Sequence, residues 1–293
     1  KRKSWFTPLV GVGKIWYMCA MSNPRPKVSF VTVNYRSAHL IRHLLQSVQD
    51  AALGFDYEYF VVDCDGTDGL QEMVTEKYPW VTYIKAGDNL GFGRGNNLAL
   101  KQATGEYAAL INPDVLLFSN ELERWVEWMD ATEDVAISGP RTTNPDGTEQ
   151  ENCYAFPSIM VPIYRRTFLG SLPWAKRTLE QYLLKSMDRE QVQHVDWVMG
   201  SAMLIRRHVY DALNGFDDRF FMYFEDTDLC RRAWEAGHRV AYYPGARLVH
   251  YHKRESRLRS PLDLVTNRVV REHIKSAVYY FFKHRGKASP RVS

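Results

Sequence analysis

The 293-residue chain lacks the marks of several protein classes. Its four cysteines, Cys19, Cys64, Cys153 and Cys230, show no C-x-x-C spacing, which argues against a disulfide framework or a zinc site and suits a reduced, cytoplasmic compartment. No run reaches 18 apolar residues, so no membrane span is written in it. No glycine-rich stretch ends in Gly-Lys-[Ser/Thr], so a P-loop is absent. The first predicted strand runs into Val33-Asn-Tyr-Arg36 with no glycine, which disfavours a dinucleotide-binding oxidoreductase. There is no internal repeat, and 18 Gly and 13 Pro are ordinary usage, which excludes fibrous and low-complexity readings.

What is present is a globular composition, with 45% hydrophobic, 25% charged and 13% aromatic residues. Charge is unevenly placed. From Arg247 onward, twelve Lys or Arg against Glu255, Asp263 and Glu272 leave +9, so the preceding residues carry −5 of the overall +4. Such a tail suits an anionic surface of lipid or nucleic acid, or is simply a solvated face. Lys1 to Ala20 is basic and then mildly apolar, but Gly11, Gly13 and Lys14 make it a poor signal peptide. Met21 reads as a native start, with residues 1–20 as an upstream extension, and residues 1–27 together form an N-terminal extension ahead of the first strand.

From Val28 short apolar runs alternate with amphipathic stretches. Strands are expected at Val28–Asn34, Tyr57–Asp63, Trp80–Lys85, Tyr107–Asn112, Val135–Ser138 and Arg239–Tyr243. Helices are expected at Ala38–Asp50, Asp68–Tyr78, Asn120–Asp130 and Asp226–Ala236, and one after the Gly93–Asn97 stretch up to Ala103. This alternation predicts an α/β fold with a mainly parallel sheet flanked by helices. Asn144-Pro-Asp-Gly147 marks a turn, and residues 142–195 read as a hairpin followed by a variable excursion. Leu262–Lys283 has apolar residues near helical spacing with Arg268, Arg271, Lys275 and Lys283 between them, a basic amphipathic helix.

Three clusters can carry chemistry. Between Gly215 and Arg232, the carboxylates Asp217, Glu225, Asp226 and Asp228 lie among Phe216, Phe220, Phe221, Met222, Tyr223 and Phe224. Apolar neighbours raise carboxylate pKa values and favour a general base, although the same acids also suit the first turn of a helix. Asp114, in Asn112-Pro-Asp114 at the carboxyl end of a strand, lies where α/β sheets bind ligands; it could hold a divalent cation bridging a diphosphate, or make an Asx turn. The stretch Asp88-Asn-Leu-Gly-Phe-Gly-Arg-Gly-Asn-Asn97 allows close backbone approach to a phosphate or ribose, with Arg94 as a fork for an oxyanion, or is a plain turn. His250 is a candidate metal ligand.

Taken in order, Val31–Asn34, Val61-Val-Asp-Cys-Asp-Gly-Thr-Asp-Gly69, Asn89–Asn97, Asn112-Pro-Asp114, Val195-Asp-Trp197 and Gly215-Phe-Asp217 with Glu225-Asp226 resemble the family-2 glycosyltransferases of GT-A fold, and among them the bacterial rhamnosyltransferases. The resemblance covers Val28 to His252. It implies a catalytic domain over 28–252, with a nucleotide-sugar half near 28–140 and an acceptor half near 141–252, followed by a basic helical segment over 253–293. It also implies inverting transfer of a sugar, foremost L-rhamnose from dTDP-rhamnose and otherwise from a UDP-sugar, to a hydroxyl of a glycan or polyprenyl-linked acceptor.

By the same resemblance Asp63, Thr32 and Asn34 line the base pocket, and Asn89, Arg94, Asn97 and Asn112 belong with the donor. Asp114 and His250 match ligands of Mn2+ or Mg2+, the imidazole tilting the preference toward Mn2+. Asp226 matches the base, Glu225 orients the acceptor, and Asp196 and Trp197 fall on the acceptor side, where Trp197 could stack on a sugar or belong to the core. The sequence departs from the pattern at Asn112, where a first aspartate is usual, and at Cys64 and Asp65. A non-catalytic nucleotide-sugar-binding scaffold is the reading from another class, against which stand the intact Asp114, Asp226 and His250. Nucleic-acid binding is not expected, for want of a recognition motif. The tail is expected either to hold the protein peripherally on the inner face of the membrane or to pack on the domain or on a second copy in a homodimer.

Overall fold

In the computed structural model the described residues are 25–251 and 267–291. The expectations for residues 1–20, for His252 and for the basic run 253–266 lie outside them.

Each apolar run becomes a buried strand: β1 Val28–Asn34, β2 Tyr57–Asp63, β3 Val81–Lys85, β4 Tyr107–Ile111, β5 Val115–Leu116, β6 Val135–Thr143, β10 Ala202–Arg206 and β11 Arg239–His250. They form one sheet in the order β3-β2-β1-β4-β10-β6-β11-β5. Pairings β1–β2, β2–β3, β1–β4 and β6–β11 are parallel; β10 runs antiparallel to both its neighbours, and β5 antiparallel to β11. β8 Gln193–His194 adds to β11, while β7 Cys153–Tyr154 and β9 Trp197–Val198 form a separate ribbon.

Period-2 alternation gives the sheet two apolar faces. Phe30, Tyr59 and Val61 face α1 Ala38–Ala51, α2 Leu70–Lys77 and α4 Glu121–Ala131. Val31, Phe60 and Val62 face α3 Gly91–Leu100, α6 Pro173–Tyr182, α7 Arg207–Ala212 and α8 Glu225–Glu235. The order reverses between β1 and β4, so the crevice beyond their carboxyl ends, between Asn34 and Asn112, is the expected ligand position.

The structure differs from the sequence expectations in three places. β11 does not stop at Tyr243. It shifts register between Tyr243 and Arg247, across Pro244 and Gly245, and pairs again so that His250 opposes Val115. The glycine-rich stretch is no loop, since α3 begins at Gly91, whose N–H bonds Asn89 Oδ1 at 3.0 Å. A Cβ at Gly91 would collide with the Phe221 carbonyl, and one at Gly93 would stand 3.0 Å from Phe216. These glycines admit the close approach of the Phe221 backbone and the Phe216 side chain.

The third difference is the excursion after the Asn144–Gly147 turn, which contains α5 Val161–Tyr164, a 3-10 turn at Phe168–Ser171, and α6. Finally, α9 Arg268–Lys283, capped by Asn267, packs Ala277 and Tyr280 against Phe220 and Phe224, immediately before α8. Packing on the domain, one of the two roles expected of the tail, is therefore present for residues 267–291. Among the described residues no helix is long and apolar enough to cross a membrane.

Candidate active site

The base-pocket residues end β1 and β2. Asn34 Nδ2 donates to Asp63 Oδ1 at 3.0 Å and Asp68 Oδ2 at 3.1 Å, tying two strand ends and a loop together. Asp63 also accepts from the Asp65 and Gly66 N–H groups and from the Tyr83 hydroxyl at 2.6 Å. Burial pushes the Asp63 pKa upward, but the bonds from Tyr83, Asn34 and the two N–H groups outweigh it and hold the carboxyl below its usual range. The result is a fixed anion at the sheet edge. Arg36 bridges to Asp65 beside it at 2.9 Å.

Several residues expected on the ligands also bond within the chain. Thr32 is 0% exposed and bonds Tyr59 and the Ile111 carbonyl, so it supports the pocket from beneath the sheet. Asn97 staples α3 to the loop before α8: Nδ2 donates to the Phe216 carbonyl and Asp218, and Oδ1 accepts from Phe216 N–H and Tyr210. Asp196 accepts from the Phe156 N–H and pairs with Arg291 at 3.1 Å, a clamp on the C-terminal segment. Trp197 takes the core alternative. It is buried, stacked on Tyr154 at 4.5 Å, and bonded to the Ala155 carbonyl. Arg94 leans back on the Leu90 carbonyl and lies over the Phe221 ring at 5.9 Å.

Asp114 and His250 do meet. The bulged β11 delivers His250 Nε2 to 3.4 Å from Asp114 Oδ1, and the Asp114 carbonyl accepts from Tyr251 N–H. Gln150 decides the imidazole tautomer. Its Nε2 donates to the His250 carbonyl at 2.7 Å and to Asn144 Oδ1 at 2.6 Å, so Oε1 faces His250 Nδ1 at 2.9 Å and can only accept. Nδ1 therefore carries a proton, and Nε2 is the nitrogen turned toward the Asp114 carboxylate. A carboxylate oxygen and an imidazole nitrogen brought together suit a divalent cation, with Gln150 as the outer partner that fixes the ring. Among the described residues no third His, Cys, Asp or Glu joins them, so further ligands would be substrate oxygens or water.

Glu225 and Asp226 begin α8 after two residues in left-handed backbone, Tyr223 at φ 71° and Phe224 at φ 66°. Each costs of order 1–3 kcal/mol for a bulky side chain, strain of the kind that collects at functional sites. Both carboxyls are raised above their ordinary range. Burial is the main cause for each, and the Asp226 charge adds to the shift of Glu225. They are not equal. Asp226 receives the Gly200 N–H at 3.1 Å, the Thr227 N–H at 2.7 Å and the Thr227 hydroxyl, while Glu225 is 5% exposed with Oε2 lacking any partner. The donors favour charge on Asp226, and burial beside that charge favours the protonated form of Glu225.

One strand junction links the two carboxylate sites. Asn112 N–H donates to the Ser201 carbonyl at 2.8 Å, and the preceding residue, Gly200, donates to Asp226. Asp114 thus hangs from β4, and Asp226 is held at the start of β10 beside it. A Cβ at Gly200 would come within 2.9 Å of the Phe92 ring, so the approach requires glycine. Sequence reasoning missed Gly200, Gln150 and Tyr83, because their partners are distant in the chain and no local pattern marks them.

A sequence profile described as glycosyl transferase family 2 matches residues 29–213, more than half of the chain, and one described as the N-terminal domain of galactosyltransferase matches residues 186–254. The chain is 27% identical over 240 residues to an N-acetylglucosaminyl-diphospho-decaprenol L-rhamnosyltransferase of Mycobacterium tuberculosis, covering 77% of this chain and 75% of that protein. It is 26% identical over 266 residues to the rhamnosyltransferase WbbL of Escherichia coli, covering 88% and 94%. Its fold is similar to that of a mannosyltransferase from Pyrobaculum calidifontis in complex with GDP-Man and Mn2+, with a TM-score of 0.57 at 19% identity over 92% of this chain and 67% of the other.

Proposed function

This chain belongs to glycosyl transferase family 2 and is a glycosyltransferase, and we propose that it moves L-rhamnose, with inversion, from dTDP-rhamnose to a hydroxyl of a polyprenyl-linked glycan precursor. The donor and acceptor follow the two rhamnosyltransferase relatives and the diphospho-decaprenol in the name of one. The observation that carries the chemistry is the placement of Asp226, with its donors, across one strand junction from Asp114 and His250.

Displacement with inversion requires a base on the face of the anomeric carbon opposite the leaving diphosphate. In this reading Asp226 takes the proton of the acceptor hydroxyl as its oxygen displaces the nucleoside diphosphate. Glu225, protonated behind it, keeps a second negative charge out of the pocket and helps orient the acceptor. Asp63 and Asn34 supply a fixed polar edge for the base. Asp114 and His250 would hold Mn2+ or Mg2+, which when bound supplies charge neutralisation for the departing diphosphate.

We also propose that the protein attaches peripherally to an anionic membrane surface, where a polyprenyl-linked acceptor resides. The outer side of α9 supports this: Ile274, Val278 and Phe282 form an exposed stripe, 65% and 68% for the last two, flanked by Arg271, Lys275 and Arg285.

The test is sugar transfer and nucleotide release from a panel of dTDP- and UDP-sugars with Mn2+, by the protein and by Asp226→Asn. Rhamnose transfer from dTDP-rhamnose is expected, reduced about 10²–10⁴-fold in the variant, with dTDP affinity retained. An inert dTDP-rhamnose with an active UDP-sugar would remove the rhamnosyl assignment, and full turnover by the variant would remove the base.

A further inference from the structure

Two adjacent arginines follow α5, and among the described residues no acid pairs with either. The Arg165 guanidinium lies over the Tyr182 ring at 5.5 Å and the Tyr154 ring at 6.0 Å, and its Nη1 is 3.4 Å from the Tyr182 hydroxyl. Arg166 is partly buried. One Nη1 bond of 3.3 Å reaches the Pro162 carbonyl, and its buried Nε has no partner. Neither arginine makes an ion pair among the described residues.

The groups around them are aromatic or cationic. Burial, then Arg165, push the Arg166 pKa down, with Tyr223 and Tyr182 the other groups acting on it. His273, brought by α9 against the Tyr223 ring at 4.7 Å, is driven to about 3 by burial and then by Arg166 and Arg165, so it is neutral at physiological pH. A guanidinium with no ion pair among the described residues, set among aromatic and cationic groups, gains from an added anion.

The position is on the acceptor side. Tyr182 feels the Asp226 charge as well as the two arginines, and Tyr223 lies three residues before the base. None of the donor-side groups, Asp63, Asp114 or His250, is among those acting on Arg166. Apolar side chains surround the pair on the same excursion. Trp174 is half-exposed with its ring 5.2 Å from that of Tyr164, and Ile163 and Phe168 are also exposed, Phe168 to 82%.

We infer that Arg165 and Arg166 bind the diphosphate of a prenyl-diphosphate-linked acceptor, with Ile163, Phe168 and Trp174 receiving the adjoining prenyl units. Two guanidinium forks on consecutive residues, Arg165 exposed and Arg166 with its hydrogen-bonding capacity only partly used, suit a diphosphate's oxygens. The apolar chain leaves the site over side chains that otherwise lie open to water. This inference rests on the polyprenyl-linked acceptor proposed above.

The test is direct binding of geranylgeranyl diphosphate, geranylgeraniol and inorganic pyrophosphate to the full chain, by calorimetry, without sugar transfer. The diphosphate lipid is expected to bind at least tenfold more tightly than the alcohol. Arg165→Gln and Arg166→Gln are each expected to lose about tenfold for the diphosphate lipid and little for the alcohol, while dTDP affinity with Mn2+ stays within twofold. Because Arg165 is exposed, its variant carries the test should the Arg166 variant fail to fold. Equal binding of diphosphate and alcohol, or unchanged lipid diphosphate affinity in the variants, overturns the inference. So does a loss of dTDP affinity in its place, since the arginines would then serve the donor. A protein that binds the lipid diphosphate as expected but transfers no rhamnose refutes the proposed reaction and leaves this site standing.

Discussion

Asp226 and Glu225 occupy one dry region and hold their protons differently. Their ordinary unfolded behaviour is to ionise near pH 4, and the fold raises both. Between that range and the raised values the native state therefore binds more protons than the unfolded chain, and stability falls as pH rises. Glu225→Gln removes the larger part of this burden in a side chain of the same shape. Its melting temperature should exceed that of the wild type at pH 7–8 and converge with it near pH 4, read by scanning fluorimetry; a constant difference at all pH values would mean the buried proton is not the cause. Gln150 makes a residue-scale case of another kind, since its bonds to the His250 ring and carbonyl decide which nitrogen of His250 turns toward Asp114. Gln150→Leu should weaken Mn2+ binding about 10–100-fold in the presence of dTDP, followed by electron paramagnetic resonance, while dTDP alone binds as before. Nothing in the sequence marks Gln150, because it meets His250 only through the bulge in β11.

At the scale of elements, α9 is a brace for α8. Asp228, buried two residues past Asp226, accepts from Arg232, Lys283 and His284, and Asp217 pairs with Lys283 and Tyr279. Burial would raise the Asp228 pKa, but His284, Arg232 and Lys283 together hold it below the ordinary range. That stabilisation is present above the usual carboxylate range and is lost as pH falls through the depressed value. Asp228→Asn strands the cations of Arg232 and Lys283 and should cost about 3–5 kcal/mol in urea unfolding at pH 7, with the deficit shrinking in acid. The amphipathic spacing of α9 was legible, since apolar residues recur at helical intervals. Its docking partner was not, because Ala277 and Tyr280 look no different in sequence from Val278 and Phe282 on the opposite side. The glycine-rich stretch teaches the converse: its composition was plain, yet the backbone it admits is that of Phe221.

At the scale of the whole molecule, the inner side of α9 braces the candidate base while the outer side presents an apolar stripe with a basic border. A deletion of the tail would disturb both, so point substitutions separate them. Val278→Glu with Phe282→Glu should lower flotation with anionic liposomes about tenfold or more, leaving the melting temperature and turnover of a short, water-soluble acceptor unchanged. Retained flotation would remove α9 from the membrane contact.

The sequence by itself determined the alternation of strands and helices, the two apolar faces of the sheet and the acidic pair set among aromatics, because periodicity and composition act over a few residues. The order of its motifs carried the family. Only the tertiary structure decided which side chains meet: His250 with Asp114 through a bulge that Pro244 and Gly245 concealed, Asp226 with the Gly200 N–H, and Arg165 and Arg166 with the aromatic surroundings of the base. It also showed Thr32, Asn97, Asp196 and Trp197 bonded or stacked within the chain. The reason is common to all of these. A contact between residues far apart in the chain depends on the register of strands and on the close approach of backbones, and neither leaves a local pattern to read.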